Sequence, residues 1–351
     1  MRAYRKQPQV LLPSPEPKVK DHSLDAVRSV AVVLVVTIHV AAPGFSMLAP
    51  HWWAFNFYDS IARIAVPLFF MTTGALLLHR EHSVRSIGRR VVRITIPLLV
   101  WSAIYSQWVV GAGAGNWPLT ILKSPVVYHL WYLYTLAGVY LFLPLFSGFY
   151  RTSTPSTRAL VLTGWFVGAC VLPHVASLTG TYWIGIDFSF MPLYAGYVVL
   201  GAVSYRDVPI NARSALFAFV VWVSCSGLTA YLTCDWTHAT GKPSEMFYEN
   251  YAPLVVIAAV AAFITIRYVS SWSRLQAKPV RQAMSFVARM SFGVYLAHVL
   301  VIHSLQNSDM EFSFGNPWLE VPLNVLGVLC ICLLFTAIVQ RIPYLRAAVP
   351  G

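Results

Sequence analysis

The chain has 351 residues, of which 57% are hydrophobic and only 11% are charged, and its mean hydropathy is +0.62. Soluble globular proteins carry about 25% charged residues, so this composition excludes an ordinary soluble domain and indicates an integral membrane protein. The net charge of +12 does not indicate a nucleic-acid partner, because the basic residues lie at the ends of apolar segments.

In chain order, a polar, basic and proline-rich segment comes first, and its composition is typical of a disordered tail. Ten segments then approach the roughly 20 apolar residues that a spanning helix needs. They are residues 24–42, 54–79, 94–112, 129–149, 159–177, 183–204, 214–233, 251–270, 286–306 and 320–340. We predict an all-α integral membrane protein of about ten transmembrane helices, with a tail at 1–22, a membrane domain at 23–341 and a short tail at 342–351.

The distribution of basic residues predicts the orientation of these helices. When the ten segments are threaded back and forth, 21 of the 25 Lys and Arg residues, Arg289 among them, share the side of the N-terminus. Lys123 and Lys242 lie on the opposite side, and Arg28 and Arg63 lie inside spans. Cytoplasmic loops carry the excess of Lys and Arg in membrane proteins. Both termini are therefore expected in the cytoplasm, and six acidic residues fall in the outer loops (Asp235, Glu245, Glu249, Asp309, Glu311 and Glu320).

The first apolar segment, LDAVRSVAVVLVVTIHV, contains three ionisable residues, Asp25, Arg28 and His39. Asp25 and Arg28 are three residues apart and so are neighbours on a helix. From Arg28 to His39 a helix makes three turns plus about 20° and rises about 16 Å. The three side chains therefore share one stripe. Because ionisable groups in a membrane usually face a bundle interior or a water-filled cavity, this stripe predicts a polar path that runs into the membrane.

A second basic cluster, HREHSVRSIGRRVVRITIPLL, begins at the end of the second segment and includes Arg89, Arg90 and Arg93. Arg90 and Arg93 lie on one helical face that continues into the third segment. The cluster can act as a cytoplasmic anchor, or its guanidinium groups can bind phosphates bidentately. The residues alone leave both interpretations open.

Two later segments carry further polar groups. YHLWYLY places His129 and Trp131 at the start of the fourth segment, and SFGVYLAH places Ser291, Tyr295 and His298 on one face of the ninth. Tyr and Trp are common at membrane interfaces, so packing is an alternative for these residues. The five cysteines form no CxxC pair and no zinc-like His/Cys spacing, and we expect neither a disulfide framework nor a metal site.

These fragments, in this order, resemble the acyltransferase family 3 membrane proteins, bacterial O-acyltransferases of cell-surface carbohydrates. The resemblance is carried by the first segment with its Arg28 and His39 spacing, by VPLFFMTTGALL, by RRVVRITIPLLVW with Arg90 and Arg93, and by HLWYLY and SFGVYLAH. One departure is Thr73, where the family more often has serine. The resemblance implies ten membrane helices, an acyl-CoA donor, a glycan acceptor and functional roles for Arg28, His39, Arg90 and Arg93.

We therefore expect a bacterial cytoplasmic (inner) membrane enzyme that transfers an acyl group, most simply acetyl from acetyl-CoA, to a sugar hydroxyl of a lipid-linked or exported polysaccharide unit. His39 is the candidate general base or acyl carrier, and Asp25 and Arg28, which are close enough in sequence to pair, are the other candidate catalytic residues. Arg28, Arg89, Arg90 and Arg93 are candidates for binding the donor phosphates.

Tyr295 and Ser291 are candidate donors to the tetrahedral oxyanion, and His298, His129 and Trp131 are expected near the substrate. The expected partners are acetyl-CoA, the glycan acceptor and membrane lipids, with no nucleic acid.

Two alternatives from other classes fit the same composition. A transporter or flippase for a lipid-linked glycan would also hold buried charges among many spans, but the expected sign is a repeat with interrupted helices in matching positions, and we find none in the sequence. A non-catalytic membrane sensor is the second alternative. Transfer or hydrolysis of labelled acetyl-CoA by the purified protein distinguishes an enzyme from both.

Overall fold

The computed structural model describes residues 21–108, 117–181 and 193–350, and within these ranges the regular elements are all helices. Fourteen α-helices follow one another along the chain. They are α1 (Ser23–Ser46), α2 (Trp52–Ala62), α3 (Ala65–Leu77), α4 (Val84–Trp108), α5 (Trp117–Lys123), α6 (Trp131–Leu141), α7 (Leu143–Thr152), α8 (Pro155–Trp165), α9 (Leu172–Thr179), α10 (Leu193–Arg206), α11 (Ala212–Thr240), α12 (Pro253–Ser270), α13 (Lys278–Asn307) and α14 (Pro317–Val339). Three short helical turns, Tyr128–Leu130, Phe166–Val171 and Met246–Tyr248, lie between them. The all-helical fold predicted from the sequence is confirmed.

Seven helical stretches in the described part of the chain are long and apolar enough to cross a membrane, and α6 with α7 makes an eighth if this bent pair counts as one span. These eight coincide with eight of the ten predicted segments. The other two, 94–112 and 183–204, fall on α4 and α10 and continue into residues outside the described ranges. The chain is thus a multi-pass helical protein, while the count of ten spans and the cytoplasmic termini stay predictions. Of the predicted tail at 1–22, residues 1–20 lie outside the described ranges.

Proline explains where three of these spans are interrupted. The break between α2 and α3 falls at Arg63 and Ile64, and Pro67 follows four residues after Arg63. A proline has no N–H for the carbonyl four residues earlier and its ring clashes with that carbonyl. Pro144 is the second residue of α7 and follows directly after the 55° bend between α6 and α7, and Pro173 is the second residue of α9, four residues after Ala169 in the π-helical turn.

Helix α1 lies at the centre of the bundle and packs against α2, α3, α12, α13 and α14. Its contact with α13 is polar at the N-terminal end, where Oγ of Ser29 donates to the carbonyl of Met284 at 2.9 Å. On the other side of α3, α10 approaches so closely that a Cβ at Gly74 would lie 1.7 Å from the carbonyl oxygen of Val198. The central position of α1 places its polar stripe inside the bundle.

The end of the chain returns to the bundle after α14. The indole N–H of Trp101 on α4 donates to the carbonyl of Ala348 at 3.0 Å, and the side-chain amide of Gln340 donates to the carbonyl of Val349 at 3.1 Å. Val349 is 1% exposed. The segment predicted as a short tail at 342–351 therefore packs, over its last described residues, between α4, α13 and α14.

Candidate functional site

A cavity of about 890 Å³ opens inside the bundle between α1, α3, α4, α6 and α13, with the segment from Tyr248 to Asn250 at one end. Its polar lining residues come from six parts of the chain. They are Arg28 and His39, Arg63, Thr72 and Thr73, Ser86, Arg89, Arg90 and Arg93, His129 and Tyr132, Tyr140, Tyr248 to Asn250, and Arg289, Ser291 and Tyr295. The stripe predicted from the first apolar segment therefore lines a cavity through Arg28 and His39.

One region of this cavity, which we call the basic end, is lined by five arginines. They are Arg28 on α1, Arg89, Arg90 and Arg93 on α4, and Arg289 on α13. The three on α4 share a face because they are three and four residues apart. The structure thus brings together arginines that lie far apart in sequence, and the concentration of guanidinium groups suits an anionic ligand.

The arginines of the basic end are held differently. Nη2 of Arg28 donates to Oγ of Ser291 at 3.2 Å, and the guanidinium of Arg90 lies 5.8 Å from the centroid of the Tyr140 ring. Arg28 and Arg90 are half-buried, whereas Arg89, Arg93 and Arg289 are exposed. The half-buried pair is positioned by the protein, and the exposed arginines are more accessible to a ligand.

Sequence reasoning counted Arg289 only as an orientation residue, but the structure places it in the basic end. The available signal was its position on the same face as Phe292 and close to Ser291, which also line the cavity. That signal is weak, because α13 carries a further arginine, Arg281, that does not line the cavity. Only the packing of α13 against α1 determines that Arg289 lines the cavity and Arg281 does not.

Further along α1, His39 is half-buried and lies among aromatic rings. Its ring centroid is 5.2 Å from that of Tyr128, 5.0 Å from that of His298 and 6.4 Å from that of His129. His129 and His298 are themselves 5.1 Å apart. The structure therefore places three histidines that the sequence singled out in one cluster, which we call the histidine cluster.

Within the histidine cluster, His39 and His129 line the cavity, but His298 lies behind them and has no exposed surface. Nδ1 of His298 lies 2.6 Å from the carbonyl oxygen of Tyr295. Among the described residues, Nε2 of His298 has no hydrogen-bond partner. This side chain is thus part of the wall and not a surface that a substrate reaches.

Asp25 shares the stripe of α1 but not the cavity. Its Oδ2 accepts from Oγ of Ser285 at 2.6 Å and lies 3.4 Å from Nδ1 of His22. Asp25 therefore lies in the contact between α1 and α13 and outside the cavity lining. Its pairing with Arg28 and its catalytic role stay predictions.

The remaining predicted residues, Tyr295, Ser291 and Trp131, also line the cavity. The hydroxyl of Tyr295 donates to the carbonyl of His129, and Oγ of Ser291 donates to the carbonyl of Ala288 at 2.8 Å. Both protons already have acceptors, so an oxyanion role requires these bonds to change and stays a prediction. The Trp131 ring lines the cavity and lies 5.2 Å from that of Tyr194.

We call the end of the cavity opposite the basic end the far end. It is lined by Arg63, Tyr248, Glu249 and Asn250. Nη2 of Arg63 donates to Oδ2 of the fully buried Asp59 at 2.6 Å, and the guanidinium lies 4.2 Å from the centroid of the Tyr248 ring. Sequence reasoning left Arg63 without a role. The signal was an Asp and an Arg four residues apart inside an apolar segment, which is a helical ion pair.

The chain matches a known protein family over most of its length. The model of the acyltransferase 3 family, described as "Acyltransferase domain", matches residues 21–337. Nodulation protein NolL of Sinorhizobium fredii (strain NBRC 101917 / NGR234) is 25% identical over 140 residues, which are 37% of this chain and 37% of NolL. The similarity thus spans little more than a third of that curated relative. No solved structure matches the chain.

Proposed function

Because the chain belongs to the acyltransferase 3 family, we propose that it transfers an acetyl group from acetyl-CoA to a sugar hydroxyl of a lipid-linked or exported polysaccharide unit. The observation that carries this proposal is one cavity that joins a cluster of five arginines to His39. The family supplies the reaction class, and the cavity supports the choice of donor and of base. We propose the bacterial cytoplasmic membrane as its location.

The donor is assigned to the basic end of the cavity. Coenzyme A carries several phosphate charges on its nucleotide, and arginine guanidinium groups bind phosphates bidentately through parallel N–H donors. Arg28 and His39 are separated by about 16 Å along α1. The pantetheine arm of coenzyme A is long and thin, so nucleotide binding at the basic end directs the thioester along the stripe toward His39.

His39 is assigned as the group that handles the proton. In direct transfer, His39 takes the proton of the acceptor hydroxyl as its oxygen attacks the thioester carbonyl. The new C–O bond forms and the C–S bond breaks. The coenzyme A thiolate that leaves then receives the proton from His39. In the alternative relay, the unprotonated ring nitrogen of His39 attacks the thioester carbonyl, so that an N–C bond forms as the C–S bond breaks and the coenzyme A thiolate is released. The acceptor hydroxyl then attacks the acetyl carbon, the N–C bond breaks, and the hydroxyl proton passes to the freed nitrogen and from there to the thiolate.

The acceptor is assigned to the far end of the cavity. Tyr248, Glu249 and Asn250 offer hydrogen-bonding groups there, and Trp131 offers an aromatic face in the middle of the cavity. Sugars present both hydroxyls and apolar ring faces, so a site of this mixed character suits them. Arg63 is paired with Asp59 and lies 3.7 Å from Glu245, and Glu249 lines the cavity. The far end therefore lacks the excess of positive charge of the basic end, which favours the anionic donor at the basic end.

The proposal is tested in cells and with purified protein. Cells that contain the wild-type protein should carry O-acetyl groups on their surface glycan, and His39→Ala should remove them. In detergent or nanodiscs, His39→Ala should slow acetyl release from labelled acetyl-CoA by on the order of 10²–10⁴, the usual contribution of a general base. His51→Ala, outside this cavity, is the control. Wild-type rates in purified His39→Ala would contradict the role of His39.

A further inference from the structure

His298 is the member of the histidine cluster that has no exposed surface. Its Nδ1 lies 2.6 Å from the carbonyl oxygen of Tyr295. A carbonyl oxygen can only accept a hydrogen bond, so Nδ1 must carry the proton and donate it. In a neutral imidazole the other nitrogen is then an acceptor with a free lone pair. The fold therefore fixes the tautomer of His298 with Nε2 as the acceptor.

This Nε2 has no hydrogen-bond partner among the described residues. A buried acceptor without a partner costs free energy, and most such groups in proteins are satisfied by protein or water. His298 does not line the cavity, so its Nε2 does not face a bound substrate directly. A donor from a neighbouring side chain is the simplest way to satisfy it.

His39 is the neighbour that can supply this donor. The two ring centroids are 5.0 Å apart and the rings are inclined by 36°. An N–H···N bond of about 2.9 Å between two imidazoles places their centroids about 5 Å apart, because each ring nitrogen lies roughly 1.1 Å from its own centroid. The distance already suits a bond, and only the direction of the rings must change. His39 borders the cavity and is half-buried, so its ring has room to turn.

His129 is equally near to His298, at 5.1 Å between centroids, but it is more firmly enclosed. It is 2% exposed, and its ring lies between Tyr105 at 5.0 Å and Tyr295 at 5.7 Å. The carbonyl of the same residue accepts the hydroxyl of Tyr295. The half-buried His39 is therefore the better donor.

We propose that His298 is the positioning residue of His39: its Nε2 accepts the ring N–H of His39 and so turns the other, unprotonated nitrogen of His39 toward the cavity. This inference rests on the proposed function of His39. His39 keeps the N–H that it donates to His298 throughout the reaction. The acceptor proton arrives at the cavity-facing nitrogen and leaves from it to the coenzyme A thiolate. His298 supports the imidazolium that forms between these steps, as the orienting group does in a catalytic triad.

Two substitutions test the acceptor role. Gln can present an amide oxygen near the position of Nε2, whereas Leu fills similar space without an acceptor. His298→Leu should lower kcat by on the order of 10²-fold, the cost of a misplaced catalytic group, with the KM for acetyl-CoA unchanged. His298→Gln should recover most of that loss. His303→Leu, on the same helix but outside the cluster, is the control and should behave as the wild type. Equal losses in the Gln and Leu variants, or no loss in the Leu variant, would overturn the proposal.

A second measurement needs neither substrate nor a folded variant of His298. In protein labelled with ¹⁵N-histidine and placed in nanodiscs, the signal of His39 is assigned as the one that disappears in His39→Gln. The proposal expects a single neutral tautomer for His39, with one protonated and one bare nitrogen. A mixture of both tautomers in the wild type would overturn it. If the tautomer is single but no acetyl transfer occurs, the positioning stands and the proposed reaction fails, so the two failures are distinguishable.

Discussion

Arginines of the basic end differ in how much the protein already holds them. Arg90 is half-buried against Tyr140, whereas Arg93 and Arg289 are exposed at the cavity mouth. If they bind donor phosphates, Arg90→Ala, Arg93→Ala and Arg289→Ala should each weaken coenzyme A binding. Loss of one charge-assisted contact costs about 1.5–3 kcal/mol, or roughly 10- to 150-fold in affinity.

Calorimetry with coenzyme A measures these affinities, and dephospho-coenzyme A shows which arginines contact the 3′-phosphate. Arg281→Ala is the matched control, since Arg281 also lies on α13 but does not line the cavity. Unchanged coenzyme A affinity in all three variants would reduce the cluster to an orientation anchor.

For single residues, the sequence predicts which side chains share one face of a helix, because that follows from the helical repeat alone. Arg28 and His39 share a stripe of α1, and both line the cavity. Arg289 and Arg63 line it as well, but each depends on how its helix packs against others. His298 and Asp25 show the converse, because each lies on a polar face and yet does not line the cavity. Helical period predicts which side chains are neighbours on one helix, but not which neighbouring helix covers them.

Among the helices, α3 and α10 approach each other closely enough to touch backbone to backbone. A Cβ at Gly74 would lie 1.7 Å from the carbonyl oxygen of Val198, and one at Gly201 would lie 2.0 Å from that of Met71. Small residues let membrane helices approach in this way. Gly74→Ala and Gly201→Ala should therefore force the helices apart and cost about 1–3 kcal/mol or more.

A thiol-reactive dye measures the unfolding temperature, because Cys170 and Cys332 are buried and become reactive on unfolding. Gly138→Ala on α6 is the matched control, since a Cβ at Gly138 would meet no neighbouring atom within 4 Å. Equal unfolding temperatures for Gly74→Ala and Gly138→Ala would contradict the close packing of α3 against α10.

The apolar segments predict these helices well and their interruptions poorly. The segment 54–79 covers most of α2 and all of α3, and 129–149 covers all of α6 and most of α7. Hydropathy does not reveal the break at Arg63. A long apolar segment has the same mean hydropathy whether its helix is continuous or interrupted. The prolines at 67 and 144 carry that information, since each removes the hydrogen bond to the carbonyl four residues earlier.

For the whole molecule, the predicted orientation follows from threading the ten predicted segments, because that arrangement puts most of the Lys and Arg residues on one side of the membrane. Helix α11 separates Val208 from Thr240 and is long enough to cross the membrane. A reporter active only outside the cytoplasm should be active when fused after Thr240 and silent when fused after Val208. The activity of the reporter in each of the two fusions is measured in intact cells. The reverse pattern would contradict the cytoplasmic location of the basic end.

At the scale of the whole molecule, the proposed function predicts that the two substrates enter the cavity from opposite ends. The basic end suits an anionic donor, the far end has a mixed polar and aromatic lining, and the histidine cluster lies along the same cavity. With the basic end in the cytoplasm, where acetyl-CoA is found, the account predicts that the acyl group moves inward along α1 and meets an acceptor that approaches from the other face. The polar stripe in an otherwise apolar helix is then the lining of the donor's path.

Sided proteoliposomes test whether the acetyl group crosses the membrane through this cavity. Labelled acetyl-CoA is placed on the side of the basic end, and the lipid-linked glycan fraction from the cells is confined to the opposite side. Vesicles with His39→Ala control for leakage. Labelled acceptor is expected on the far side, while coenzyme A stays on the donor side. Product that forms only when both substrates share the side of the basic end would contradict the account, because the reaction would then be completed on one face of the membrane.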